Sequence, residues 1–324
     1  MSGLRGRVSG YPASAWIAAL ILLGWAWVPQ ARADSYFLTV AGLGGEPDYE
    51  QRFTALAGDL DRILKAAGTT NHVITLSGTD ATRARMTESL ESIAKEAGSS
   101  DDFVLILIGH GSYDGQQYKM NLVGPDISAS SLAQLCNQIA ARRQVIVNTT
   151  SSSGASVSIL AHAGRAVIAA TKSGTEKNAT VFARYWVDAL RDASADVDKN
   201  DSISALEAFQ YATTKTAAFY ESQKRLATEH AIFADAGNAA AVRVASSSSG
   251  AGKLLSSITL VRLAEAGSAA SNPAKRALLA RKEHLETQID TLKYQRAAMS
   301  PDEYKQKLTT ALVELAQVQE DLDK

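Results

Sequence analysis

Between residues 36 and 170, short apolar runs alternate with amphipathic segments. The runs are rich in β-branched residues, as buried strands are, and the segments repeat apolar positions every three or four residues, as surface helices do. This alternation predicts a parallel β-sheet flanked by helices, the α/β class. The predicted strands are 36–41, 72–76, 103–108, 144–147 and 165–170, and the predicted helices are 49–66, 82–97, 129–141, 156–163, 180–191 and 204–224.

Two further apolar stripes at helical spacing occupy the last fifty residues. The first consists of Leu278, Leu285, Ile289, Leu292 and Met299, and the second of Tyr304, Leu308, Leu312, Leu315 and Leu322. Between them, Ser300-Pro301-Asp302-Glu303 is typical of a helix start, with a capping serine, a first-turn proline and a glutamate at the third position. We therefore predict an antiparallel helical hairpin, similar to a coiled coil, over residues 271–324. It either only stabilises the protein or binds a partner.

The first 33 residues have the features of an export signal. Arg5 and Arg7 precede an apolar stretch of 14 residues, 15–28, and Ala31-Arg32-Ala33 supplies the small residues at which signal peptidase cleaves. Because a helix needs about 20 residues to span a bilayer, the stretch is too short for an anchor. We predict a cleaved signal peptide over 1–33, no stable membrane span afterwards, and a mature protein exported to the periplasm or the medium.

Composition and charge narrow the function classes. Hydrophobic residues make up 46% of the chain, which indicates a globular protein. The chain has 33 Lys and Arg against 34 Asp and Glu, and loss of Arg5, Arg7 and Arg32 with the signal peptide leaves 30 against 34. Nucleic-acid binding needs clustered uncompensated cations, so this balance argues against a nucleic-acid partner. The single cysteine, Cys136, excludes an internal disulfide, and its helical apolar surroundings predict a buried structural thiol.

Composition also divides the mature chain into parts. A stretch of Ser, Gly and Ala, 245–252, has almost nothing to bury, which is typical of a linker. We therefore predict an α/β domain over 34–244, a linker over 245–270, and the helical hairpin after it.

Polar clusters follow two of the predicted strands, where parallel sheets usually place their functional residues. His110 lies between two glycines after strand 103–108, and a run of hydroxyl residues, 149–153, follows strand 144–147. Such a run offers a nucleophile together with helix N-terminal amides. In the alternative interpretation, Ser152 or Ser153 only caps the next helix and His110 makes a turn hydrogen bond.

These clusters resemble the motifs of the legumain-type cysteine peptidases, which share the caspase fold. His110-Gly111 is similar to the His-Gly of that family, and Ser151-Ser152-Ser153-Gly154 lies over its Cys-Glu-Ser-Gly. Val40-Ala41-Gly42, followed by Asp48-Tyr49, resembles its opening Val-Ala-Gly and Asn-Tyr. The resemblance covers residues 36–191 and implies a caspase-like parallel sheet that carries a peptidase site. Ser151 stands where the family has its nucleophilic cysteine.

The resemblance implies catalytic roles for four residues. His110 would be the general base and Ser151 the nucleophile, Asp48 would orient the histidine, and the amides of Gly111 and Ser151 would form an oxyanion hole. A serine hydroxyl needs a base in hydrogen-bond contact, whereas a cysteine reacts as a thiolate with less help. Two functions therefore stay open: a Ser-His peptidase that hydrolyses peptide bonds, or an inactive pseudopeptidase that binds a peptide or protein as an assembly module.

A second motif, over 196–207, has the ligand spacing of an EF-hand calcium loop. Oxygen-bearing side chains fill positions one, three, five, seven, nine and twelve, namely Asp196, Asp198, Asn200, Ser202, Ser204 and Glu207. Asp201 takes the sixth place, where glycine is expected, and aspartate tolerates the left-handed backbone better than most residues. We predict that this loop binds one Ca²⁺ and fixes the two helices beside it. The alternative is an acidic helix connection that binds no metal.

Overall fold

The computed structural model describes residues 33–68, 70–235, 240–263 and 295–322, together with 274, 277, 278, 280, 281, 284, 285, 288, 289 and 292. The predicted signal peptide, 1–33, lies outside the described residues except for its last position. None of the described helices combines the length and the apolar character that a membrane span requires.

The secondary structure follows the predicted alternation of strands and helices. The strands are β1 Ser35–Ala41, β2 Asn71–Leu76, β3 Asp102–Ile108, β4 Gly111–Tyr113, β5 Tyr118–Met120, β6 Ile127–Ser128, β7 Arg143–Asn148, β8 Arg165–Ala169, β9 Ser202–Ser204, β10 Ile232–Ala234 and β11 Thr259–Arg262. The helices are α1 Pro47–Ala66, α2 Arg83–Glu96, α3 Ala129–Cys136, α4 Val157–Leu160, α5 Phe182–Ala189, α6 Ala205–Ser222, α7 Lys253–Ser256 and α8 Pro301–Leu322.

A six-stranded sheet forms the centre of the molecule, in the order β10-β8-β7-β3-β1-β2. Neighbouring strands run parallel except β10, which pairs antiparallel with β8. The predicted α/β architecture, a parallel sheet flanked by helices with a helix at the C-terminus, is therefore confirmed. The three-residue strand β10 was not predicted, because so short an apolar run has no clear period.

Both faces of the sheet are covered, which explains why β3 is apolar from Phe103 to Ile108. Its alternate side chains point to opposite faces, so Ile106 packs into the core under α1, α5 and α6, while Leu105 packs into the core under α2, α3 and α4. Cys136, at the end of α3, is fully buried in the second of these cores. This confirms the predicted burial of the thiol.

The predicted linker, 245–270, differs from the structure. Residues 253–262 form α7 and β11, and β11 pairs antiparallel with β9. Leu255 and Leu260 are buried in the core, and the Arg143 guanidinium donates to the carbonyl of Ser257. The α/β domain thus extends to at least Arg262. The prediction extended the Ser/Gly composition of 245–252 over the apolar residues that follow it.

Helix α8 begins where its cap was predicted, since the Ser300 hydroxyl accepts a hydrogen bond from the Glu303 amide at 3.2 Å. The residues described between 274 and 292 are helical, and Arg281 forms an ion pair with Glu314 of α8. One position of the predicted stripe is wrong: Leu312 is 46% exposed, and Ala311 is buried instead. Both residues lie at helical spacing from Leu308, so the pattern alone favoured the larger side chain.

Candidate functional site

The two predicted polar clusters meet at one edge of the sheet. β3 and β7 are parallel neighbours, and their carboxyl ends lead into the turns that contain His110 and Ser151. The Thr149 amide donates to the carbonyl of Leu107 at 2.9 Å, which aligns the two exits. The Gly42 amide, after β1, donates to the carbonyl of Ile108 at 2.8 Å. The carboxyl ends of three neighbouring strands, β7, β3 and β1, therefore lie side by side at one edge of the sheet.

The Ser151 hydroxyl joins the two turns. Its Oγ accepts a hydrogen bond from the Gly111 amide at 3.1 Å and donates to the Gly111 carbonyl at 3.1 Å. Only 2% of Ser151 is exposed. A Cβ at position 111 would lie 2.5 Å from the Ser151 carbonyl oxygen and 2.7 Å from the Tyr118 ring, so only glycine allows this approach. The Gly111 amide, predicted to be part of an oxyanion hole, is occupied by the serine itself.

His110 faces aromatic rings and backbone. Its ring meets Tyr49 edge-on with centroids 4.8 Å apart and Phe53 with centroids 5.2 Å apart, and it hydrogen-bonds the backbone of Gly44. Burial lowers the pKa of His110 below its usual 6.5, although the Gly44 bond and the charge of Glu46 act in the opposite direction. Among the described residues, no hydrogen bond joins His110 to the Ser151 hydroxyl.

Asp48 does not orient His110, which corrects the prediction. Its carboxylate is 62% exposed and lies 3.8 Å from the Arg52 guanidinium, one turn along α1. The first turn of α1 directs Asp48 to solvent and its neighbour Tyr49 to the histidine. Gly44, Tyr49 and Phe53 hold the ring instead; Tyr49 was part of the Asp48-Tyr49 motif but was given no role, and Gly44 and Phe53 were not predicted to contact the histidine. The four-residue spacing of the two aromatic residues was the available signal.

The hydroxyl run after β7 is almost fully satisfied inside the protein. The Thr149 hydroxyl donates to the Leu107 carbonyl at 2.7 Å, and Thr150 bonds Asn148 and the Tyr118 hydroxyl. Ser153 accepts a hydrogen bond from the Thr171 amide at 3.1 Å. These side chains shape the turn, so most of the run has a structural role.

Ser152 is the exception in this run. Its backbone is left-handed, with φ 57° and ψ 10°, and its buried hydroxyl has no hydrogen-bond partner among the described residues. A left-handed conformation costs a residue with a Cβ about 1 kcal/mol. Surrounding contacts hold the strained conformation, because the Ser152 amide donates to the Glu176 carbonyl at 2.8 Å.

Glu176 anchors the loop after β8 to this turn. Its carboxylate lies 2.5 Å from Nδ1 of His230 and accepts hydrogen bonds from the amides of Lys172 and His230. Glu176 and His230 are 54 positions apart and belong to no motif, so no sequence pattern indicated the pair. The pair fixes the loop that supports Ser152.

The predicted calcium loop brings three carboxylates together. Ligand oxygens of Asp196, Asp198 and Glu207 lie within 4.8 Å of one another. Asp201, in the sixth position, adopts φ 61°, the conformation that glycine would supply. Ile203 is fully buried, and β9, which spans loop positions seven to nine, pairs with β11. The donor set and the turn both fit a Ca²⁺ ion.

The other three predicted ligands bond within the same loop. The Asn200 Oδ1 accepts hydrogen bonds from the amide and hydroxyl of Ser202 at 2.9 and 2.6 Å. Ser204 caps α6 and exchanges hydrogen bonds with Glu207. The Asn200 amide donates to a carboxylate oxygen of Asp196 at 3.0 Å. All six residues therefore belong to one connected turn, in which the three carboxylates face each other.

No protein-family model matches the chain, and no curated protein matches it. Among solved structures, the chain is similar to the Drosophila initiator caspase Dronc, with 11% identity over 63% of this chain and 80% of that one and a TM-score of 0.42. It is also similar to a protein of Geobacter sulfurreducens, with 15% identity over 63% and 92% of the two chains and a TM-score of 0.43. Raptor of Chaetomium thermophilum shows 11% identity over 52% and 19%, with a TM-score of 0.37.

Proposed function

We propose that the chain is an exported peptidase-fold protein without hydrolytic activity that acts as a peptide- or protein-binding assembly module. The observation that carries the proposal is the bonding of Ser151. Its hydroxyl exchanges both of its hydrogen bonds with the backbone of Gly111, and no hydrogen bond reaches it from His110 in the part of the chain described. A serine hydroxyl without a base in contact is a weak nucleophile, so this arrangement does not support hydrolysis.

The surroundings of His110 support the same function. The ring is held between Tyr49 and Phe53 and bonds the backbone of Gly44, and among the described residues no carboxylate hydrogen-bonds it. A triad base needs such an orienting group to hold the ring and its tautomer. The two residues lie at a sheet edge, as in the peptidase motif, but the described part of the chain shows no hydrogen bond between His110 and Ser151 through which a proton could pass.

Ser-His hydrolysis is the second candidate, and one observation favours it. Burial lowers the pKa of His110, which favours the neutral imidazole, the form that can accept a proton. A peptidase of this kind would need substrate binding to break the Ser151–Gly111 bonds and bring the hydroxyl to the histidine.

Labelling separates the two functions. The mature protein, residues 34–324, is incubated with a serine-reactive fluorophosphonate and a mixed peptide library, beside Ser151→Ala and His110→Ala variants whose folding is checked by circular dichroism. We expect no labelling and no cleavage by the unmodified protein. Labelling and cleavage that disappear in both variants would establish the peptidase and overturn the proposal.

Calcium binding by the 196–207 loop is part of the proposed function. Asp196, Asp198 and Glu207 would hold the ion, and it would neutralise carboxylates that otherwise repel one another at short range. Because β9 pairs with β11, a bound ion would also secure the residues that lead to the C-terminal hairpin. Its role in this proposal is structural.

Thermal unfolding tests the calcium site. We expect added CaCl₂ to raise the Tm of the unmodified protein and to have no effect on Glu207→Gln. Asp188→Asn, a carboxylate outside the loop, serves as the matched control and keeps the calcium response. An equal response in the Glu207→Gln variant would exclude this loop as the site.

A further inference from the structure

Helix α8 carries a second apolar surface besides the stripe that faces the hairpin. The stripe consists of Tyr304, Leu308, Ala311, Leu315 and Val318, all partly or fully buried. Leu312 and Val313 lie on another face and are 46% and 54% exposed. Among the large apolar side chains that are exposed in the described residues, they are the only neighbours in sequence.

The residues on either side of this pair are placed symmetrically about its midpoint, and the outermost two carry opposite charges. Lys305 precedes the midpoint between Leu312 and Val313 by the same number of residues as Glu320 follows it, and Thr309 and Ala316 are related in the same way. Lys305, Thr309, Leu312, Ala316 and Glu320 follow one another at spacings of four, three, four and four, so they form one helical face. We name these five residues and Val313 the outer face.

We propose that the outer face of α8 pairs antiparallel with the outer face of α8 in a second copy of this chain. A twofold axis through the midpoint places Leu312 against Val313 of the partner subunit, and Lys305 against Glu320 of the partner subunit, twice each. In a parallel pair, Lys305 would face its own counterpart and so would Glu320, and these like charges would repel. Charge complementarity therefore selects both the occupant and its direction, as an isologous interface requires.

The size of the outer face sets the strength of the dimer. From Lys305 to Glu320 a helix rises about 22 Å, at 1.5 Å per residue, so the contact covers most of α8. Each subunit contributes only two large apolar side chains to it. We therefore expect a reversible dimer in the range of about 10 to 100 μM rather than an obligate one.

The proposed function requires a binding partner, and a second copy of this chain is one such partner. In that respect the inference rests on the proposed function. The two tests are nevertheless separate. Labelling of Ser151 decides whether the α/β domain is silent, whereas self-association of α8 does not involve Ser151. If Ser151 is labelled and the protein still dimerises, only the proposed function is overturned. If Ser151 is not labelled and the protein stays monomeric, only the proposed dimer is overturned.

Sedimentation equilibrium on the mature protein, residues 34–324, between 1 and 300 μM is the test. We expect the unmodified protein to shift from monomer to dimer with concentration, and Leu312→Glu to remain monomeric. Circular dichroism establishes that α8 still folds in the variant. A monomer at every concentration in the unmodified protein would overturn the proposal.

Charge reversal tests the direction of the pair. Lys305→Glu is expected to weaken dimerisation about tenfold, and the double variant Lys305→Glu, Glu320→Lys to restore it, because the exchange keeps each pair complementary. Lys307→Glu makes the same charge change outside the outer face, where Lys307 pairs with Glu303 of its own helix, and should dimerise normally. A dimer that is unaffected by Lys305→Glu, or not restored by the exchange, would contradict the antiparallel arrangement.

Discussion

The turn around Ser151 and the loop 196–207 were both predicted to carry chemistry, yet their polar groups are arranged in opposite ways. At Ser151, hydroxyl and amide groups satisfy one another, and the side chain joins two backbones. In the loop, three carboxylates converge to within 4.8 Å. Neutral groups that are satisfied need no further ligand, whereas converging anions are stabilised by a cation. The comparison shows that residue type and spacing predict the position of a candidate site. Which groups its polar atoms bond to then indicates whether the site is structural or suited to a ligand.

The largest effect is expected at Gly111, where the two turns touch. Gly111→Ala should lower the free energy of unfolding by about 3 kcal/mol, because the new Cβ meets the Ser151 carbonyl oxygen at 2.5 Å. Urea unfolding measures the loss. Gly58→Ala is the control, since its Cβ meets only the Arg62 side chain at an ordinary 3.7 Å in α1, and it should be neutral or stabilising. Equal stability of the two variants would contradict the tight approach.

In the loop, calcium should stabilise the folded protein by about 2.7 kcal/mol at a hundred times the dissociation constant. Urea unfolding with CaCl₂, compared with unfolding in excess chelator, measures this difference. Asp196→Asn removes one of the converging carboxylates and should abolish most of it. If the protein were equally stable in calcium and in chelator, the loop would not bind calcium, and it would not differ from the Ser151 turn in needing a ligand.

Ser151→Ala should cost about 1 to 2 kcal/mol, because it leaves the Gly111 amide without its hydrogen bond. Chemical denaturation measures the change. Ser112→Ala, at an exposed position of β4, is the matched control and should have almost no effect. If Ser151→Ala were as stable as the unmodified protein, the serine would not serve to join the turns.

Ser152→Gly should stabilise the protein by up to about 1 kcal/mol, because glycine adopts the left-handed backbone without strain and removes an unpaired buried hydroxyl. Ser152→Ala keeps the Cβ and the strain, and should gain less. Thermal unfolding of both variants measures the two contributions. A Ser152→Gly variant that unfolds more easily than Ser152→Ala would contradict the backbone strain, since both variants lack the hydroxyl and differ only in the Cβ.

The smallest effect concerns pH. Because the folded pKa of His110 is lowered, the unfolded chain binds more protons, so this residue makes stability rise as pH increases through the range around 6.5. His110→Gln should reduce the slope of stability between pH 5 and 7. An unaltered slope in His110→Gln would contradict the lowered pKa of the half-buried imidazole.

The sequence predicted the sheet well because its strands are long apolar runs covered on both faces. It also placed His110 and Ser151 at one rim, since parallel neighbours end at the same edge. It failed where a local choice depended on orientation: Asp48 points to solvent while Tyr49 meets the histidine, and Ala311 rather than Leu312 is buried. Helical spacing cannot separate positions that lie one residue apart.

Long-range pairing was the other gap. β11 joins β9 across more than fifty residues, and Glu176 joins His230 across 54, with no repeated pattern to connect the partners. Such contacts depend on the finished fold. The sequence therefore indicated the positions of the candidate sites but not the long-range contacts that connect them.

The rate at which the thiol of Ser151→Cys is alkylated is the most direct test that the Ser151 site has no catalytic activity. The variant puts a thiol at position 151, where the legumain-type peptidases that this sequence resembles have their nucleophilic cysteine. Cys136 does not interfere with the assay, because burial raises the pKa of its thiol to about 12. We predict slow alkylation by iodoacetamide that rises only toward alkaline pH, as for an unassisted thiol with a pKa of about 8.5. Fast alkylation at pH 6 to 7 that is lost on adding His110→Ala would contradict the proposal, because it would show that the histidine can activate this position.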